Sequence, residues 1–134
     1  MQQQRRVIVT GASSGIGAAA VRMFRANGWA VLGVARRADR LAALAAETGC
    51  DVLVVDVTDG DSVAAMVEHL EQLGPVHALV NNAGGAFGQD SIESGDVDEW
   101  RRMYEVNVIG VKRVITAVLP LLRRAVAPRD SATI

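Results

Sequence analysis

The sequence predicts a doubly wound α/β fold with a parallel sheet, and three observations predict it. Four short β-branched runs carry no polar alternation, as strands buried on both faces do. Between them lie segments whose apolar residues recur at helical spacing. Glycines punctuate the joins, after the first strand and behind each of three helices.

The first strand is predicted at Val7, Ile8, Val9 and Thr10, and the helix after it turns Ile16, Ala19, Ala20, Met23 and Phe24 to the core. A second strand follows at Ala30–Ala35, then a helix with Leu41, Leu44 and Ala45 inward. The third strand is placed at Val52 to Val55, and its helix buries Val63, Met66, Val67, Leu70 and Leu73. Ala78–Val80 forms the fourth strand. Gly28, Gly49 and Gly74 stand where a left-handed residue closes a helix, and Pro75 stops the third helix from continuing. This βαβαβαβ order implies three layers, helix on sheet on helix.

Residues 84–96 are polar and Gly-containing and are expected as a surface loop, with 85–90 reaching toward the rim of a site. A long helix is predicted over residues 98–122, with Trp100, Met103, Tyr104, Asn107, Val111, Val114, Ile115, Val118 and Leu122 on one stripe. Pro120 should kink or end it, since proline inside a helix costs about 3 kcal/mol. Ala132, Thr133 and Ile134 read as a new strand cut short, so the fold is expected to be incomplete at that end.

With 134 residues, 50% of them apolar and 22% charged, the whole chain, 1–134, is expected to be one domain around one core. A formal charge of -1 gives no electrostatic reason for a nucleic-acid or anionic-membrane partner. The single cysteine, Cys50, cannot form an internal disulfide, and the polar start lacks the apolar region of a signal peptide, so a cytoplasmic location is expected. No apolar run approaches the roughly 20 residues of a membrane span, and none is expected.

The chemistry concentrates at Thr10-Gly11-Ala12-Ser13-Ser14-Gly15-Ile16-Gly17, between the first strand and its helix. Amides at a helix N-terminus can hold a pyrophosphate there, and glycine permits both positive φ and close approach. An ordinary tight turn is the alternative. No histidine or lysine accompanies Cys50 to activate it, His69 and His77 belong to no cluster with zinc spacing, and no metal site is expected. Ser13 and Ser14 do not form a nucleophile elbow and are assigned to phosphate hydrogen bonds.

Here the sequence resembles the short-chain dehydrogenase/reductase family, whose glycine turn has the spacing T-G-x-x-x-G-x-G. Asp56 after the third strand, Asn81-Asn82-Ala83-Gly84 after the fourth, and Trp100, Met103, Val106-Asn107 and Gly110 in the long helix agree with it. The resemblance covers essentially the whole chain but only the first half or so of a typical member, so the sequence looks truncated. It implies a Rossmann-type fold in which Gly11, Ser13, Ser14, Gly15, Ile16 and Gly17 hold the dinucleotide pyrophosphate. It also implies that Asp56 and the Val57 backbone meet the adenine, and that Asn82, Ala83 and Gly84 line the adenosine ribose. Read without it, Asp56 could equally cap a turn ahead of Thr58, and the Asn-Asn-Ala-Gly segment could simply turn the chain.

At the end of the second strand an NAD-selective protein usually supplies an acid to the ribose hydroxyls, whereas this chain reads Val34-Ala35-Arg36-Arg37. Ala35 removes a carboxylate's repulsion of a 2′-phosphate, and Arg36 and Arg37 offer charge-assisted donors. NADP(H) is therefore favoured over NAD(H). The competing reading is a solvated pair at a helix start, with Arg37 directed away and Arg36 alone engaged.

Family members transfer hydride between nicotinamide and a carbonyl or alcohol with a tyrosine, a lysine four residues later, a serine and an asparagine. Only the asparagine is matched, by Asn107, which as an amide on an apolar stripe needs a buried helix contact or a water-linked proton relay. Tyr104 is the only tyrosine, with Val108 four places on, and is expected in the core or an interface. Lys112 is expected on the solvated surface. The resemblance thus implies the cofactor-binding half of an NADP-dependent oxidoreductase acting on a small molecule, the chain alone being expected not to turn over. The alternative is a non-catalytic NADP(H)-binding or scaffold protein on the same half-fold. Pairing of two copies through helix 98–122 is expected, because its apolar surface would otherwise face water.

Overall fold

The computed structural model describes residues 4–85, 90–126 and 131–134. In chain order the elements are β1 (Arg6–Thr10), α1 (Gly15–Ala26), β2 (Ala30–Ala35), α2 (Ala38–Thr48), β3 (Asp51–Val54) and α3 (Gly60–Leu73). Then come β4 (Ala78–Val80), α4 (Val97–Tyr104), a π-helical stretch Glu105–Ile109, and α5 (Gly110–Ala125). The four strands form one parallel sheet in the order β3-β2-β1-β4, with Val7 opposite both Val31 and Ala78. This is the doubly wound, Rossmann-like arrangement. The chain runs outward through β2 and β3, then returns to the other side of β1, so the strand order reverses between β1 and β4.

The absence of polar alternation in the strands follows from two apolar layers. On one face Val7, Val9 and Val31 pack against Ala18 and Val21 of α1 and Leu41 and Leu44 of α2. On the other, Ile8, Leu32, Val34 and Leu79 meet Val63, Met66 and Leu70 of α3 and Val114, Val118 and Leu122 of α5. The outer strand β3 differs: it lies at the sheet edge and leaves Val54 exposed. Helix ends follow local chemistry. Asp59 caps α3 by accepting from the amides of Asp61 and Ser62, and Gly49 closes α2 at φ +71°. Gly28 is also left-handed, whereas Gly74, at φ +110° and ψ −166°, ends α3 in a more extended turn.

Three expectations need correction. The buried face of α1 is Gly17, Ala18 and Val21, not the stripe through Ile16 and Met23, which are 80% and 69% exposed. Small residues bring this helix backbone close to β1 and β2, and larger ones cannot occupy that face. The long helix is real, but its stripe is broken. The i→i+5 pitch of the π-helical stretch shifts the face, so α5 buries Val114, Val118 and Leu122 while Trp100 and Tyr104 are exposed and Tyr104 is no core residue. Pro120 does not end α5. It lies on the exposed side, as does Thr116 four residues earlier, whose carbonyl loses its partner to proline and can turn to water while Leu121 and Leu122 stay buried.

Beyond α5, Thr133 forms one parallel bridge with Ala78, and the Leu79 amide donates to the Thr133 carbonyl at 2.9 Å. Of the strand expected at 132–134, the structure shows this single bridge.

His77, just before β4, uses Nδ1 to accept the Arg6 amide at 3.1 Å, so that nitrogen carries no proton. Burial first, then the charges of Arg5 and Arg6, hold its pKa below the ordinary value. The unfolded chain therefore binds this proton more readily, and the stabilisation is complete above about pH 6.5 and lost as pH falls below it. Urea unfolding between pH 7.5 and 5.5 is expected to lose about 1 kcal/mol that a His77→Gln variant does not lose, one hydrogen bond's worth. Parallel pH profiles for the two proteins would show that this contact carries no such dependence.

Candidate functional site

The loops that leave the C-terminal ends of all four strands converge on one cleft of about 510 Å³. Its walls are Thr10, Gly11, Ser13 and Ser14 at and after the end of β1, Val34 to Arg37 at and after the end of β2, Val55 to Thr58 after β3, and Asn82 to Gly84 after β4, with Val106 closing one side. This is the crevice at which a doubly wound sheet binds ligands, where its strand order reverses. A larger hollow of about 1250 Å³ runs beside β4, past Trp29 and Ile134, and none of the residues expected to hold the cofactor lines it.

The glycines have distinct tasks. Gly11 and Gly15 adopt φ of +65° and +57°. A methyl group on Gly11 would lie 2.8 Å from Asn82 Nδ2, and one on Gly17 would press into the Gly11 carbonyl and stand 2.6 Å from the same amide nitrogen. These two glycines let the turn pack on the end of β4. A methyl on Gly15 would meet no protein atom within 4 Å, so the space in front of it is open. Ser14 stands at the N-cap of α1 without capping it through its side chain, and first-turn amides of a helix lack partners inside it. Ile16 is exposed beside them. An open, donor-rich concavity of this kind fits a pyrophosphate.

Behind the turn, Thr10 is 2% exposed and its Oγ1 accepts from the amides of Asn82 at 3.0 Å and Ala83 at 2.9 Å while donating to the Val80 carbonyl at 3.4 Å. Asn82 Nδ2 donates to the Gly11 carbonyl at 3.2 Å. The ends of β1 and β4 are thereby sewn together under the cleft floor.

At the end of β2, Arg36 and Arg37 both line the cleft, and Arg37 occupies the N-cap position of α2. Arg37 is not directed away: its Nη2 donates to Ser13 Oγ at 3.4 Å and Ser14 Oγ at 3.3 Å. Asp56 Oδ1 accepts from the Thr58 amide at 2.9 Å and its hydroxyl at 2.7 Å. The turn-capping role open in the sequence is therefore occupied, two residues beyond the end of β3. Those hydrogen bonds hold the Asp56 carboxyl below its ordinary pKa, with smaller help from the charges of Arg36 and Arg113.

Asn107 lies in the π-helical stretch and is exposed, not a buried helix contact. Both ends of its amide are used: Oδ1 accepts the Gly85 amide and Nδ2 donates to the Gly85 carbonyl, each at 2.8 Å. Gly84 permits that approach, since a methyl there would stand 2.8 Å from Asn107 Oδ1. Residues 86–89, and with them most of the expected rim loop, lie outside the described residues. Among the described residues, no group of three or more His, Cys, Asp or Glu side chains could hold a metal ion, and no helix is long and apolar enough to cross a membrane.

Thr10 enters the sequence pattern only as the strand's last residue and the first of the glycine turn, and Arg113 does not enter it. Thr10 had a signal, a lone hydroxyl ending a strand of valine and isoleucine, which must find a partner. Arg113 had none, because its partners Val57 and Glu105 lie at no regular spacing from it.

The short chain dehydrogenase family profile matches residues 5–129. The chain belongs to the short-chain dehydrogenase family. It is 48% identical over 120 residues to an uncharacterized oxidoreductase of Mycobacterium tuberculosis, a match covering 90% of this chain and 47% of that one. To serine 3-dehydrogenase of Agrobacterium fabrum it is 37% identical over 119 residues, covering 87% and 48%. Among solved structures, an alcohol dehydrogenase from the archaeon Thermococcus sibiricus complexed with 5-hydroxy-NADP matches with TM-score 0.81 and 34% identity, covering 92% of this chain and 55% of that one. The chain spans about half the length of the curated relatives it matches.

Proposed function

We propose that this chain forms the NADP(H)-binding half of an oxidoreductase that interconverts a carbonyl and an alcohol on a small molecule. The observation that carries the reading is the junction of the open glycine turn with two arginines and no acid at the end of β2, all lining one cleft. Gly11, Ser13, Ser14, Gly15, Ile16 and Gly17 would hold the pyrophosphate. Asp56 and the Val57 backbone would meet the adenine, and Asn82, Ala83 and Gly84 the adenosine ribose. Hydride transfer is the chemistry that the nicotinamide would supply there when bound. This chain's residues would bind and orient it, and Asn107 fixes the Gly85 backbone next to the lining residue Gly84. The family resemblance and the relatives named above support this assignment.

Arg36 and Arg37 are both within the cleft wall, and either fork suits a 2′-phosphate. Arg37 would have to release weak contacts with two serine hydroxyls, an exchange that costs little at exposed positions. Arg36→Ala is expected to weaken NADP binding by about 1.5 to 3 kcal/mol and leave NAD nearly unchanged, as for a charged hydrogen bond. Titration calorimetry on wild type, Arg36→Ala and Arg37→Ala with both cofactors tests it. Equal losses for NADP and NAD in both variants would remove 2′-phosphate recognition, and no binding of either cofactor to wild type would remove the site.

A further inference from the structure

Arg113 reaches two parts of the cleft wall that are far apart in sequence. From α5 its Nη1 donates to the Val57 carbonyl at 2.6 Å, and its Nη2 pairs with Glu105 Oε1 at 3.2 Å. Val57 belongs to the cleft-lining segment after β3, one residue from Asp56. Glu105 opens the π-helical stretch that carries Val106, another lining residue, and Asn107. A methyl group on Gly110 would lie 2.8 Å from Val57 Cγ2, so the α5 backbone also rests against Val57. From Asn107 the contacts continue to both backbone groups of Gly85.

A lone surface ion pair would carry little. This one is different in kind: the Arg113 side chain is 28% exposed, and its planar fork binds a neutral carbonyl and a carboxylate at once, which a point charge cannot do in the same geometry. The π-helical stretch also needs such support, because i→i+5 turns are rare and are held by their surroundings.

We infer that Arg113 is a positioning residue, clamping the Val57 carbonyl to Glu105 so that the Asp56 turn and Asn107 keep one fixed separation across the cleft. Its bearing on cofactor binding rests on the dinucleotide reading given above. The clamp itself does not.

Hydrogen exchange on the full chain tests the clamp through two amides, Thr58, which donates to Asp56, and Gly85, which donates to Asn107. In Arg113→Met, exchange at both is expected to rise together by about tenfold or more, with the amides of β1 and β2 unchanged, as for local rather than global opening. Arg113→Lys keeps the charge and should loosen both amides in the same sense. It also decides the matter if the methionine variant fails to fold. The inference is overturned if only one of the two amides responds, if lysine restores both to wild-type rates, or if the rise spreads through β1 and β2. NADP titration of the same proteins separates the two readings. A rise of about tenfold in Kd for Arg113→Met supports positioning, one decade being 1.4 kcal/mol. Unchanged affinity beside a wild type that binds overturns positioning of the cofactor. A wild type that does not bind NADP overturns the dinucleotide reading and leaves the clamp to the exchange result.

Discussion

Gly17→Ala is expected to lose about 3 kcal/mol of folding stability, although alanine is the better helix former by about 1 kcal/mol. The new methyl group would be driven into the Gly11 carbonyl and against Asn82 Nδ2, and the first of these is backbone that cannot rotate aside. Relief requires α1 to lift off the sheet, which uncovers Ala18 and Val21, both buried now. A loss of that size corresponds to a fall in melting temperature on the order of 10 °C for a chain of this length. Gly15→Ala makes the informative comparison. Its φ of +57° costs a non-glycine residue about 1 to 2 kcal/mol, but its methyl group meets no protein atom. That methyl projects into the open space assigned to the pyrophosphate, so NADP affinity should fall at least about tenfold, an obstruction at the anion site. The two glycines should therefore separate, one dominated by lost stability and the other by lost binding. Calorimetric melting and cofactor titration of both variants check this, and a Gly17→Ala protein that melts within 2 °C or so of wild type would contradict the close packing of α1 on the turn.

How far the sequence could be read depends on whether a feature is local. Gly49 and Pro75 mark helix ends because the conformations they allow or forbid involve no distant partner, and the unalternating strands report burial on both faces directly. The α1 face was misread because Ile16 and Met23 are apolar at helical spacing, yet the face was chosen by how near a backbone can approach β1 and β2, and that favours Gly17 and Ala18. Likewise one inserted π turn rotates everything before it, so a single periodic stripe is buried at Val114 and Val118 but exposed at Trp100 and Tyr104, which rules out the core for Tyr104. In the cleft, residue types were legible but their pairings were not. Nothing in Val34-Ala35-Arg36-Arg37 says which arginine reaches the serines, since that depends on where α2 begins relative to the glycine turn. Asn107 was found through its motif, but its Gly85 partner depends on a loop 22 residues away.

Thr10→Val is expected to cost about 2 kcal/mol despite its near-identical shape, because it takes the side-chain acceptor from two part-buried amides and leaves one of them with none, at about 1 to 3 kcal/mol. The Asn82 amide retains the Val80 carbonyl at 3.1 Å, so the Ala83 amide carries most of the loss. Thr10→Ser reverses the chemistry: it keeps the hydroxyl and gives up one buried methyl group, about 0.8 kcal/mol. Urea unfolding should therefore rank serine above valine by at least about 1 kcal/mol, whereas packing alone would rank valine first. The consequence for the site follows from position. Thr10 sits where β1 and β4 part and fixes the backbone that leads into Ala83 and Gly84, so the valine variant should bind NADP more weakly even at temperatures where it is fully folded. The serine variant should bind as wild type does. If valine proves the more stable of the two and binds unchanged, the Thr10 hydroxyl is not what joins the two strand ends, and the cleft floor must be held by the Asn82 contact to Gly11 instead.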